Sequence, residues 1–273
     1  MLNSLCKYSN EKKDVEKMFS VTTFNIRFDD TSERKKSWEL RKTLTKSLLD
    51  KYQWDFMGVE EPLLPQMLDM KAMLDWDYFG VGRDDGLEKG EFTAVFYNST
   101  RFTLLQEGHF WLSDTPDVPS IHSTAMFPRI CVWGEFADSD GKQFYIFNTH
   151  LDHISEEARL FASQLLLKKA ATIAKDSPVI ILGDFNTQPN TPTYNYITEK
   201  YQDAQLISQK PAKGPTGSFH DFHPLRPENE LEKIDYIFVS NEFQVSTYET
   251  IVDEVEGFSA SDHFPVTANL DWK

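Results

Sequence analysis

The segment Pro178 to Asn190, PVIILGDFNTQPN, constrains the fold of this chain more than any other stretch. Its apolar run Val179, Ile180, Ile181 and Leu182 is too short for a buried helix and suits a strand covered on both faces. Gly183, Asp184, Phe185 and Asn186 follow, then a loop of Thr, Pro and Asn. On an extended chain Asp184 and Asn186 share one side. They stand where a central strand leaves the sheet, the usual place for chemistry in layered α/β proteins. A strand followed by an Asx-type turn explains the same residues without any chemistry, so the rest of the chain has to decide.

The 273 residues can bury a large core, in one domain or two small ones. A content of 40% hydrophobic and 14% aromatic residues describes a packed protein and not a disordered one. With 43 acidic against 28 basic residues the net charge is −15, which argues against broad adhesion to nucleic acid. A nucleotide or phosphate substrate stays open, because bound cations can supply positive charge locally. Cys6 and Cys131 are too few for a disulfide framework, and without a CxxC pair a Cys-based zinc site is not expected. The first twenty residues have no apolar run for a signal peptide or membrane span. The expectation is a cytoplasmic enzyme with no membrane association and no obligate protein partner.

Residues 1–18 read as a polar lead-in and 19–273 as a single domain. Alternation and turn residues predict strands over 19–28, 55–59, 79–86, 91–98, 101–112, 130–136, 144–151, 178–185, 234–240, 244–251 and 266–270. A helix is predicted over 37–52, with Ser37 as its cap and Trp38, Leu40, Leu44, Leu48 and Leu49 at helical spacing. Another follows Pro62 over 63–74. The clearest spans 154–175, with Ala158, Phe161, Leu165, Ala170 and Ile173 on its buried side, and a shorter piece lies around 193–200. Residues 113–129 form a long loop and 214–227 an ambiguous one. Two sheets with helices outside fit this order, since the polar strand ends are scattered along the whole chain.

Those strand ends are Asn25, Glu61, His150 with Asp152, Asp184 with Asn186, and Asp235; Ser261-Asp262-His263 precedes the last strand. Each has an ordinary explanation alone: a satisfied turn, a helix cap, an edge charge, a buried imidazole. Coincidence at all of them is harder to accept than one shared site. Carboxylates, carboxamides and histidines without a thiolate suit Mg²⁺ or Mn²⁺, not zinc. Such a cation would hold a phosphate oxygen and leave Asp and His for proton transfer.

Six motifs carry these residues in order: TFNIR at Thr23–Arg27, GVEE at Gly58–Glu61, NTHLD at Asn148–Asp152, GDFN at Gly183–Asn186, IDYIF at Ile234–Phe238 and SDHFPV at Ser261–Val266. In these, and over Val21 to Leu270, the chain resembles the endonuclease/exonuclease/phosphatase superfamily, leaning to its carbon catabolite repressor deadenylase branch. The resemblance implies an α/β fold of the deoxyribonuclease I type. That is a four-layer α/β sandwich, with two mixed, mainly antiparallel sheets packed face to face and helices outside. It implies Glu61 as the principal metal ligand, Asn25 beside it, and Asp262 as a neighbouring or second-metal ligand. Asp184 would align or deprotonate the attacking water, and Asn186 would hold a phosphate oxygen. His263 would contact the phosphate, oriented by Asp235; a carboxylate partner fixes the tautomer and favours imidazolium on independent grounds. His150 takes the position that binds phosphate or protonates the leaving group in part of the family, and Glu91 matches the glutamate paired with it there. Where the family commonly has Gln-Glu, this chain has Glu60-Glu61, adding negative charge near the metal.

The implied activity is Mg²⁺- or Mn²⁺-dependent hydrolysis of a phosphoester, with a phosphodiester preferred, by in-line attack of water. A 3′–5′ exoribonuclease or other nuclease on short single strands, a sugar- or lipid-phosphate phosphatase, and an inactive binding module are the alternatives. The partner is then a phosphate ester, RNA and nucleotides included. Arg83, Glu91 and Asp152 are candidates for binding substrate or supporting the site, and Phe219 in the Gly-rich loop could stack a base or ring. His109, Phe110, Trp111 and Leu112 could form an aromatic wall, although core packing explains them better. His153, His220 and His223 are expected at the mouth or on the surface.

Overall fold

The computed structural model describes residues 18–252 and 254–273; all of the expected lead-in except Met18 lies outside the described residues. The chain begins with β1 (Phe19–Asn25), α1 (Trp38–Lys51), β2 (Phe56–Glu60), α2 (Leu64–Met73), β3 (Asp77–Gly82) and β4 (Phe92–Tyr97). Then come β5 (Thr103–Trp111), β6 (Ile130–Ala137), β7 (Gln143–His150), α3 (Glu156–Ala174), β8 (Val179–Asp184) and α4 (Pro192–Thr198). The rest is β9 (Gln202–Asp203), α5 (Ala204–Ile207), β10 (Asp235–Val239), β11 (Phe243–Thr250), β12 (Glu254–Val255), β13 (Phe258–Ser259) and β14 (Val266–Trp272).

Two six-stranded sheets result, ordered β11-β14-β1-β2-β4-β3 and β5-β6-β7-β8-β10-β9. Each contains one parallel pair, β1/β2 and β7/β8, joined through α1 and α3 respectively, and the remaining pairs are antiparallel. One apolar cluster, with Phe19, Val21, Ile146, Ile180, Leu182 and Ile237, fills the space between the sheets. A second lies between the β5–β9 sheet and α3 with α4, and a third between the other sheet and α1 with α2. The architecture is the four-layer α/β sandwich that the resemblance implies.

Side chains on a strand alternate faces, and this places the site. The file facing the other sheet is Ile180, Leu182, Asp184 on β8 and Val239, Ile237, Asp235 on β10. On β7 it is Phe144, Ile146, Asn148, His150, and on β1 it is Phe19, Val21, Thr23, Asn25. Every file is apolar until its last members, and register holds those ends together: Asp184 stands opposite His150 across the parallel pair and opposite Asp235 across the antiparallel one. The inter-sheet core therefore becomes polar at this rim.

Some local expectations shift. Strand β1 ends at Asn25 and not at residue 28, because Arg27 is left-handed at φ 57. Ser37 occupies the cap of α1 without a side-chain capping bond; Asp29 Oδ1 accepts the Trp38 N–H at 2.7 Å instead. On α3 the buried row is Ala158, Ala162, Leu166, Ala170 and Ala174, while Phe161, Leu165 and Ile173 flank it half-buried. Small residues let the helix lie close on its sheet and push the larger ones to its sides. Phe110, Trp111 and Leu112 are buried in the cores and form no wall.

Candidate active site

Nine of the twelve residues expected at the site line one cavity of about 660 Å³: Glu61, Arg83, Glu91, His150, Asp184, Asn186, Phe219, Asp262 and His263. Asn25, Asp235 and Asp152 stand behind its wall. Glu61 arrives by a route that strand alternation does not provide. Glu60 takes the inward-facing place on β2, and the left-handed backbone of Glu61 at φ 70 carries the next side chain round to the rim. Asn186, at φ 47, turns the chain after β8 in the same way.

Asp184 is the hub. Its Oδ2 accepts from Asn25 Nδ2 at 2.9 Å and lies 3.5 Å from His150 Nε2 and 3.8 Å from His263 Nε2. Its Oδ1 accepts the Asn186 N–H at 2.9 Å. His263 Nδ1 lies 2.8 Å from Asp235 Oδ2, which also accepts from Ser218 Oγ at 2.5 Å. Phe219 packs on the His263 ring with centroids 4.9 Å apart. Asn25 presents its Nδ2 to Glu61 Oε1 at 3.1 Å, and its oxygen is occupied by the Arg27 N–H at 3.0 Å. The amide nitrogen here bridges two carboxylates, while the oxygen already accepts one hydrogen bond. Glu91 accepts its hydrogen bond from Arg83 Nη1 at 2.5 Å and not from His150. Asp152 accepts the backbone N–H groups of Met126, Ile154 and Ser155, so it ties the 113–129 loop to the start of α3.

Protonation separates these groups. Burial pushes the Asp184 carboxyl up to about 7, with the Asp235 charge adding to it. Burial opposes charge on His263, but Asp235, Asp184 and Asp262 outweigh it and hold that imidazole well above its ordinary range. His150 is driven the other way, by burial first and then by Arg129 and Arg83. A charged and a neutral imidazole thus flank a carboxylate poised near neutrality, the division of roles that acid–base chemistry requires.

The donor set also fits a hard divalent cation. One atom each from Glu61, Glu91 and His150 lie within 4.8 Å of one another, two carboxylate oxygens and one imidazole nitrogen. Asp184, Asp235 and His263 form a second such group, but the hydrogen bond between its members already accounts for it. Glu60, whose negative charge is expected near the metal, does not line the cavity. Its carboxyl is fully buried between the sheets beside Thr23 Oγ1, and burial, followed by Asp235 and Asp184, holds its pKa well above the carboxylate range.

Three arginines add what the sequence leaves unassigned. Arg27 lies 3.4 Å from Glu61 Oε2 and 3.7 Å from Asp262 Oδ2. Arg41, fully buried on α1, donates to the carbonyls of Lys36, Ile26, Ala260, Arg27 and Phe28, clipping together the two loops that carry Arg27 and Asp262. Arg129, the residue before β6, lines the cavity. Its only signal in the sequence is a charge ahead of a strand, which gains meaning once β6 is known to pair with β7. His153 stands at the mouth as expected, stacked on Phe127, but His220 is completely buried against Phe264 and His223 is exposed elsewhere.

A sandwich with this polar rim defines a class, and the comparisons agree with it. Residues 22–263 match the Endonuclease/Exonuclease/phosphatase family, and the chain belongs to that family. Among solved structures it is similar to an endonuclease/exonuclease/phosphatase from Bacteroides vulgatus, at 35% identity, 94% coverage of this chain, 99% of that one and TM-score 0.89. It is also similar to a mannosyl-6-phosphatase of Bacteroides thetaiotaomicron, at 35% identity, 93% and 100% coverage and TM-score 0.86. Carbon catabolite repressor protein 4 homolog 6 of Arabidopsis thaliana is 36% identical over 155 residues, 50% of this chain and 20% of that protein. The chain spans 59% of another curated relative, from Acanthamoeba polyphaga mimivirus, so it covers only part of the curated proteins it matches. No helix among the described residues is long and apolar enough to cross a membrane.

Proposed function

We propose that this chain is a divalent-metal-dependent phosphoester hydrolase whose substrate is a small phosphorylated sugar. The observation that carries the reading is the Asp184 hub, a buried carboxylate 3.5 Å from His150 and 3.8 Å from His263 at the rim of a cavity of about 660 Å³. A cavity of that volume suits a small ligand, and the net charge of −15 disfavours a long polyanion. Similarity to a mannosyl-6-phosphatase over 93% of this chain supports the sugar.

Glu61 with Glu91 and His150 would hold the cation, Asp262 standing near, and the bound ion would supply Lewis-acid neutralisation of phosphate charge. Asp184 receives the proton of the attacking water and aligns it, with Asn25 fixing the carboxylate. His263, charged and oriented by Asp235, stabilises the developing negative charge, and Asn186 holds a non-bridging oxygen. A second reading, a 3′–5′ exoribonuclease, is favoured by the likeness to the Arabidopsis protein. Phosphate release from hexose monophosphates, compared with nucleotide release from short RNA and turnover of a bis-nitrophenyl diester in Mg²⁺, separates them. Hexose phosphates as the best substrates support the proposal. RNA as the best substrate selects the second reading, and no turnover of any ester overturns both.

A further inference from the structure

The cavity holds three guanidinium groups, and only two are answered by carboxylates. Arg27 faces Glu61 and Asp262, and Arg83 faces Glu91. Arg129 is 6% exposed, and its Nε and Nη1 have no hydrogen-bond partner among the described residues. Its Nη2 reaches only an imidazole nitrogen, His153 Nδ1, at 3.2 Å. The Nε of Arg83 likewise has no hydrogen-bond partner, its nearest carboxylate being Asp84 with Oδ1 4.0 Å away, while the Phe127 ring lies 4.8 Å from the Arg83 guanidinium. Burying a cation without partners is expensive, and proteins retain such groups where a ligand completes them. The free Nε and Nη1 groups sit on either side of Nη2, on different edges of the guanidinium, and each can donate to an oxygen of a phosphate or carboxylate.

Position narrows the role. Arg129 precedes β6, which pairs with β7, the strand that ends in His150; the Asp235–His263 pair lies across the β8 side. We infer that Arg129, with the Nε edge of Arg83, forms an anion subsite on the far flank of His150 from His263, and that it reads a second negative charge on the substrate. That charge has two possible sources, the second ionised oxygen of a phosphomonoester or another phosphate on the same molecule. The choice of substrate rests on the phosphoester reading above; the subsite itself does not need turnover to be tested.

Calorimetric titration of the Mg²⁺-loaded protein with sulfate, a dianion, and dimethyl phosphate, a monoanion, tests the subsite. Wild type binds sulfate more tightly, Arg129→Gln weakens sulfate about tenfold or more, and Arg129→Lys recovers part of the loss because a point charge replaces the fork. Without sulfate, Arg129→Gln melts at or above the wild-type temperature, since it removes an unpartnered buried charge. In turnover, the preference for nitrophenyl phosphate over its diester falls about tenfold, chiefly through KM, if the reacting group carries the second charge. A loss of preference for a hexose bisphosphate over a monophosphate assigns it to a second phosphate. Unchanged sulfate affinity overturns the inference, and so does a variant that melts lower or fails to fold, which would make Arg129 structural. A wild type that binds sulfate through Arg129 yet hydrolyses no ester would overturn the proposed function and leave the subsite standing.

Discussion

His263 and His220 lie close in the chain's fold and show how surroundings decide what an imidazole does. Asp235 bonds His263 and, with Asp184 and Asp262, keeps it protonated against the cost of burial. Removing the carboxylate in Asp235→Asn lowers the His263 pKa, so the imidazolium is lost at a lower pH. The alkaline limb of the pH–rate profile should move down, and turnover near neutrality should fall by about 10²- to 10⁴-fold. An unmoved limb would remove His263 from the chemistry. No carboxylate is bonded to the His220 ring, and both ring nitrogens lack partners among the described residues. Burial, then the charge on His263, pushes its pKa from 6.5 to about 3. The unfolded chain therefore takes up a proton first as pH falls, and stability drains away between about 6.5 and about 3. His220→Phe, which keeps the ring beside Phe264, should flatten that acid limb in urea melts while leaving stability near pH 7 equal or higher. A steeper limb would mean that the imidazole has a partner. The Asp235 partner of His263 was implied by the resemblance, whereas the burial of His220 was not legible because it belonged to a loop of uncertain shape.

At the scale of elements, the parallel β7/β8 pair sets the distance from His150 to Asp184. Gly183 makes the pairing possible: it has φ 140, and a Cβ there would collide with the carbonyl oxygen of Thr149. Gly183→Ala should lower stability by more than ~2 kcal/mol and reduce activity together with it, because β8 must move away from β7. Gly141 offers the control, with φ 80 but open space for 4 Å around the point where a methyl group would stand, and Gly141→Ala should cost about 1 kcal/mol with turnover unaffected. Equal effects of the two substitutions would contradict the packing argument. Most strands were legible because their alternation has a period of two and their ends carry turn residues. The buried face of α3 was not, since large apolar residues flank the small ones that touch the sheet. The left-handed turn at Glu61 has no signature in the residue type, so its direction became known only with the backbone.

For the whole molecule, the acidic composition and the polar strand ends have one explanation, a rim where two sheets bring carboxylates together. The motifs made that meeting legible before any geometry, because each marks a strand end. The balance of charge within it was not: burial raises the pKa of Glu60, Asn25 meets Glu61 and Asp184 through its amide nitrogen, and Arg129 entered just ahead of a strand whose partner the sequence does not name. Carboxylates this close repel one another, so a divalent cation that binds the folded chain should raise its melting temperature and a chelator should lower it. The anomalous signal of crystals grown with Mn²⁺ tests the central claim most directly. The account predicts a single strong peak about 2.0–2.6 Å from a Glu61 carboxylate oxygen, within the rim shared with Glu91 and His150. A rim without a peak, or manganese bound only elsewhere on the surface, would contradict it.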